Sequence, residues 1–114
     1  MTKRSSIPVL PSAPIDLVAV AVGGCEVILA WTECENSTLG FHIERAVGLN
    51  PRKSFAEIGR VGPHVAAFRD GTVTSSRTYS YQVHAWNASG DSLSSNVVEV
   101  TTSQADTDHR ADLD

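Results

Sequence analysis

The stretch from Tyr79 to Ser92 constrains this chain most. Tyr79, Tyr81, Val83 and Ala85 alternate with Ser80, Gln82, His84 and Trp86. A period of two places one set on each face of an extended strand, so the apolar set predicts a strand with one buried face. Asn87 to Asp91 then reads as a turn. The same alternation recurs along the chain. Ile15, Leu17, Ala19 and Ala21 form a first inward set, although Val18 and Val20 make its facing weak. Val27, Leu29 and Trp31 form a second, and Phe41 and Ile43 a third, with His42 and Glu44 outward. Phe55 to Val61 and Val65 to Phe68 predict two short strands, and Val98 and Val100 mark the last.

Turn chemistry separates these runs: Gly23-Gly24, Gly62-Pro63 and Asp70-Gly71. No helical period appears. Seven short strands with turn signals about every ten residues predict an all-β, seven-stranded antiparallel sandwich of the immunoglobulin-like type. Trp31 is the bulkiest inward candidate, and a tryptophan between two sheets anchors a core.

With 114 residues the chain suffices for one domain, and such a core folds without disulfides or metal. Pro8, Pro11 and Pro14 predict an extended lead-in, so residues 1–11 read as a linker and 12–102 as the domain. Residues 103–114 carry four aspartates and almost no apolar side chain, which predicts a disordered acidic tail. Residues 11–104 hold six basic and nine acidic side chains. That balance offers no excess for neutralising phosphate and argues against a nucleic-acid partner. No apolar run approaches the roughly 20 residues of a membrane helix. Lys3 and Arg4 are not followed by the apolar core of a secretory signal, which leaves an intracellular protein or a piece of something longer; the small size favours the piece.

Cys25 and Cys34 flank a strand, and nine steps at about 3.3 Å separate them by up to ~30 Å. A disulfide spans roughly 4.4–6.8 Å between Cα atoms, so no bridge is expected. Glu33, Glu35 and Asn36 offer oxygens, but their spacing does not match a calcium loop. No metal and no cofactor are expected. Asn36-Ser37-Thr38 and Asn87-Ala88-Ser89 fit the glycosylation triplet, a pattern short enough to arise by chance. His42, His64, His84 and His109 have no neighbouring nucleophile in a catalytic motif, so an enzyme is not expected.

These residues resemble a known family. Pro11-Ser12-Ala13-Pro14, Leu29-Ala30-Trp31, Gly40-Phe41-His42-Ile43-Glu44-Arg45, Phe68-Arg69-Asp70, Thr78-Tyr79-Ser80-Tyr81-Gln82-Val83, Gly90-Asp91-Ser92 and Val98-Glu99-Val100-Thr101-Thr102 occur in the order and spacing of a fibronectin type III domain. The variety is that of bacterial multi-domain extracellular proteins, and the match covers about four fifths of the chain. The resemblance implies a tyrosine corner at Tyr79, with Val73 filling the turn where the family often has leucine. It implies Trp31, Phe41, Ile43, Tyr79, Tyr81 and Val83 as the structural set. Arg69-Asp70-Gly71 is not Arg-Gly-Asp, and no Trp-Ser-x-Trp-Ser is present, so neither an integrin nor a cytokine-receptor role carries over.

The family implies a spacer or scaffold module, with its termini at opposite ends, in a larger secreted or surface protein. It also implies that the third, sixth and last strands share a sheet. Trp86, His84, His42 and Val97 could then share one exposed face, the alternative function being a module that binds protein or polysaccharide there; the blander expectation is that Trp86 is covered by a neighbouring side chain or loop, or fills a position where the family often has an aromatic. Neighbouring domains are the expected partners and a monomer the expected state.

Overall fold

The computed structural model describes residues 9–34, 38–48 and 54–104. Eight strands are found there: β1 (Ile15–Val22), β2 (Glu26–Thr32), β3 (Gly40–Val47), β4 (Ala56–Val61), β5 (Ala67–Asp70), β6 (Thr78–Asn87), β7 (Gly90–Asp91) and β8 (Val98–Thr101). One sheet has the order β1-β2-β5. The other runs β4-β3-β6, with β7 and β8 both paired to β6. Every pairing is antiparallel. Residues 105–114 of the tail expected over 103–114, most of the linker, and Glu35 and Asn36 lie outside the described residues, and so does His109.

The expected last strand is β8, and a short additional strand, β7, forms within the stretch expected as a turn. Between them the backbone leaves the ladder, and two serines keep β6 bonded. Ser92 N–H donates to the Ala85 carbonyl (2.8 Å), and Ala85 N–H donates to Ser92 Oγ (2.8 Å). Ser95 repeats this with Val83, at 2.8 and 2.9 Å. Both serines are buried, so their hydroxyls stand where backbone carbonyls would be needed.

The inner faces meet in a core of Leu17, Val27, Leu29, Trp31, Phe41, Ile43, Val73, Tyr79, Tyr81, Val83 and Ala85. All six residues of the expected structural set are in it. The Trp31 and Phe41 rings pack with centroids 5.5 Å apart and planes tilted by 60°. Tyr79 makes the corner, its hydroxyl accepting from Thr74 N–H at 2.8 Å. Val73 is buried in that turn.

Two expectations are corrected. Ile15 is exposed rather than inward, because the register with β2 shifts between Ile15 and Val18 and Asp16 takes φ 56°. This extra residue is a bulge, and it turns Ile15 off the core face. The fifth strand is Ala67–Asp70 and not Val65–Phe68.

The shift makes Asp70 part of the sandwich interior, 2% exposed. Its carboxylate accepts from Thr72 N–H (3.0 Å), Thr72 Oγ1 (2.7 Å), the Tyr81 hydroxyl (2.6 Å) and Arg45 Nη1 (2.9 Å). Asp70 belongs to one sheet, and Arg45 and Tyr81 to the other. The cluster is therefore a polar tie across the sandwich. Arg45 also lies over the Tyr79 ring, 5.1 Å from its centroid.

Candidate functional site

Pairing of β3 with β6 sets Gly40 opposite Trp86, His42 opposite His84 and Glu44 opposite Gln82. His42, His84 and Trp86 therefore do share the outer face of the larger sheet. The His42 and Trp86 rings lie 6.1 Å apart. Val97 is not with them. Val98 pairs with Tyr81, which sets Val97 level with Gln82, four residues or about 13 Å along β6 from Trp86. Val97 is exposed at 47%.

The expected exposure of this face is also corrected. His42 is only 8% exposed. Its Nε2 bonds Asp91 Oδ1 at 3.1 Å, and its Nδ1 faces Glu57 Oε1 at 3.4 Å without a well-aligned hydrogen bond. Asp91 arrives from β7 and Glu57 from β4, so two neighbouring strands cover the ring. Arg60 Nε in turn donates to Glu57 Oε2 at 2.6 Å. That hydrogen bond is the chief reason the Glu57 carboxyl titrates below the usual carboxylate range.

His84 is half-buried. Its Nδ1 bonds the Ser92 carbonyl at 2.9 Å, and its Nε2 bonds Glu44 Oε1 at 3.1 Å. Gln82 Nε2 donates to the same carboxylate oxygen at 2.6 Å. Both ring nitrogens of His84 and the Gln82 amide are thus engaged within this face. Glu57, Asp91 and Glu44 were not singled out from the sequence. Only Glu44 carried a signal, being in phase with His42.

Trp86 is half-buried, with its Nε1 buried and unbonded. The indole lies over Gly40, which has no side chain to displace it. A Cβ there would stand 2.5 Å from the Val61 carbonyl oxygen and 2.8 Å from Trp86 Nε1. Gly40→Ala is therefore expected to cost about 1–3 kcal/mol and to make Trp86 more accessible to a fluorescence quencher, measured by urea melts and acrylamide quenching.

Cys25 and Cys34 are free and exposed at opposite ends of β2. Glu33 is engaged by Thr38 at 3.0 Å and by His64 at 3.4 Å. Among the described residues no three His, Cys, Asp or Glu side chains are placed to share a metal ion. Asn87, of the second glycosylation triplet, donates its amide to the Val9 carbonyl at 3.0 Å and accepts from Ser89 N–H at 2.8 Å.

Neither the protein-family models nor the curated proteins contain a match to this chain. Solved structures do match. The solution structure of the fibronectin type-III domain of human fibronectin type III domain containing protein 3 is similar at 23% identity and TM-score 0.71, covering 90% of this chain and 95% of that one. The FN1-FN3 domains of chicken CNTN1 match at 18% identity and TM-score 0.73, over 83% of this chain and 33% of that one. A titin structure of several domains matches at 19% identity and TM-score 0.72, again over 83% and 33%. The chain thus spans about a third of these last two. No helix among the described residues is long and apolar enough to cross a membrane. Two antiparallel sheets, the tyrosine corner and these neighbours together identify the architecture: the chain has the fibronectin type III fold.

Proposed function

We propose that this chain is a non-catalytic spacer or scaffold module of a larger, secreted or surface protein. Its globular part spans residues 12–102, and its partners are the domains on either side. The observation that carries the reading is where the chain comes in and leaves. The lead-in is held at one pole, where Asn87 binds the Val9 carbonyl. The exit is held at the other, where Ser103 N–H donates to the Gly23 carbonyl (3.3 Å) and Ser76 N–H donates to the Ser103 carbonyl (3.0 Å). The full length of β6, ten residues, lies between them. A module threaded from pole to pole holds its neighbours apart and in line. Similarity to one part of longer multi-domain structures supports the same reading. The secreted or surface setting rests on the family resemblance.

A protein- or polysaccharide-binding face around Trp86 is the competing reading. It is weakened by the burial of His42 and by the internal bonding of His84. Glycan and protein arrays probed with the wild type and with Trp86→Ala separate the two. The spacer reading expects no binder whose signal depends on Trp86. A binder lost with Trp86→Ala and kept with Val18→Ala would replace it with the binding-face reading.

A further inference from the structure

The outer face of the smaller sheet is apolar. An antiparallel sheet with one face on the core normally turns polar side chains to the other. The larger sheet does so with His42, Glu44, Gln82 and His84. On β1, in contrast, the outward residues are Val18, Val20 and Val22, exposed at 55, 58 and 47%, and Ile15 before the bulge is exposed as well. Ile15, Val18, Val20 and Val22 stand beside Thr32, Ala30, Ile28 and Glu26 of β2. On β5, Ala67 stands beside Ala30, and Arg69 beside Ile28. The charges within these rows are Glu26 and Arg69, and they bind each other.

Seven strand steps from Ile15 to Val22 run about 23 Å, and three strands with their side chains span about 14 Å, so the face covers roughly 300 Å². Apolar patches of this size on a monomer are often functional. A partner bringing unpaired charge would leave that charge unanswered here, because Glu26 and Arg69 already neutralise one another. The fitting occupant is a second apolar sheet face.

We infer that this face packs against the same face of a second copy of the chain. The two-fold axis lies between the two sheets and crosses the strands, level with the gap between Val18 and Val20. Each strand then lies over its own counterpart running the opposite way, and aligned sheets pack so about 10 Å apart. Val20 of one copy covers Val18 of the other. Ile28 covers Ala30, and Arg69 covers Ala67, so a large side chain meets a small one on both strands. Glu26 covers Thr32, whose hydroxyl is a donor for the carboxylate. The face is therefore complementary to itself in shape and in charge. Such an isologous contact closes on itself and does not propagate into fibres. The pairing departs from the monomer expected from the sequence and does not depend on the spacer reading. Both copies together bury roughly half of the ~1,200 Å² at which standard interfaces begin, so a dissociation constant on the order of 1 mM is expected.

Sedimentation equilibrium and isotope-filtered NOEs between labelled and unlabelled chains test this at up to about 3 mM chain, with reductant keeping Cys25 and Cys34 free. The wild type should dimerise, with NOEs between copies from the Ile28 methyls to the Ala30 methyl and from Val20 to Val18. V18K/V20K sets like charges over one another and should weaken the dimer at least about tenfold. V18K/V20E sets each lysine over a glutamate and should pair at least about tenfold more tightly than V18K/V20K. Should a variant fail to fold, the wild-type NOEs decide alone. A wild type that stays monomeric over this range, or whose NOEs between copies come from other residues, would overturn the inference. So would V18K/V20K pairing as tightly as the wild type, or V18K/V20E pairing no more tightly than V18K/V20K.

Discussion

Asp70→Ala is expected to lower the stability of the fold by about 3–5 kcal/mol, the cost of breaking a buried ion pair from one side. The carboxylate is 2% exposed and holds groups from both sheets. Its removal strands the Tyr81 hydroxyl, in a side chain with no exposure, and the Arg45 guanidinium, which is 19% exposed. Both donors then lack an acceptor in a place water reaches poorly, where an unmade bond costs its full desolvation. Burial alone would push the Asp70 carboxyl up. The hydrogen bonds from Thr72, Tyr81 and Arg45 outweigh it and hold the group below the ordinary carboxylate range. Burial, followed by the Asp70 carboxylate, pushes the Tyr81 hydroxyl far up, so it remains a donor at neutral pH. The sign of the pH dependence follows. A lowered folded-state value stabilises above the unfolded carboxylate value of about 3.9, and the contribution is lost as pH falls through the folded value. Urea midpoints of the wild type should therefore fall through this acid range, and those of Asp70→Ala should lack that component.

Phe41→Ala is expected to cost a similar 3–5 kcal/mol, by a different route. Phe41 has no exposure and packs against Trp31 across the sandwich with its ring tilted. Truncation removes its burial and leaves a cavity between the sheets, which can collapse only by moving strands tied by ladders on both sides. For a domain of this size each kcal/mol is worth about 4–8 °C, so a midpoint drop of roughly 12–40 °C is expected by calorimetry. Phe41→Leu fills most of the volume and should lose much less. Trp31 emission should shift to the red in the alanine variant, because its packing partner is gone. Unlike the Asp70 effect, this loss should be nearly independent of pH.

The inner faces were legible in the sequence because a period of two needs nothing but local alternation. Val27, Leu29 and Trp31, or Tyr79 to Ala85, read as half-buried strands wherever they occur. Three things escaped that reading. The bulge at Asp16 inserts one residue among neighbours that are all apolar, so no break in the pattern marks it. Arg45 is in phase with Phe41 and Ile43, and Asp70 with Phe68. An alternation read by hydropathy treats each as the end of a strand, when together they form the interior ion pair. His42 is outward, as its phase requires, yet covered. Its cover comes from Glu57 and Asp91, distant in sequence and supplied by strands β4 and β7. A side chain's face follows from local pattern, whereas its exposure on that face depends on long-range partners. The structure sets His42, His84 and Trp86 on one face of the sheet and Val97 farther along it.

The claim on which the functional reading stands is that the two attachment points lie at opposite poles of a rigid sandwich. A spin-label distance between Leu10→Cys and Gln104→Cys, in a chain whose Cys25 and Cys34 are replaced by serine, tests it directly. Ten strand residues at about 3.3 Å each predict one narrow distribution centred roughly between 30 and 40 Å. A main peak below about 20 Å would put both attachment points at one end and contradict the spacer.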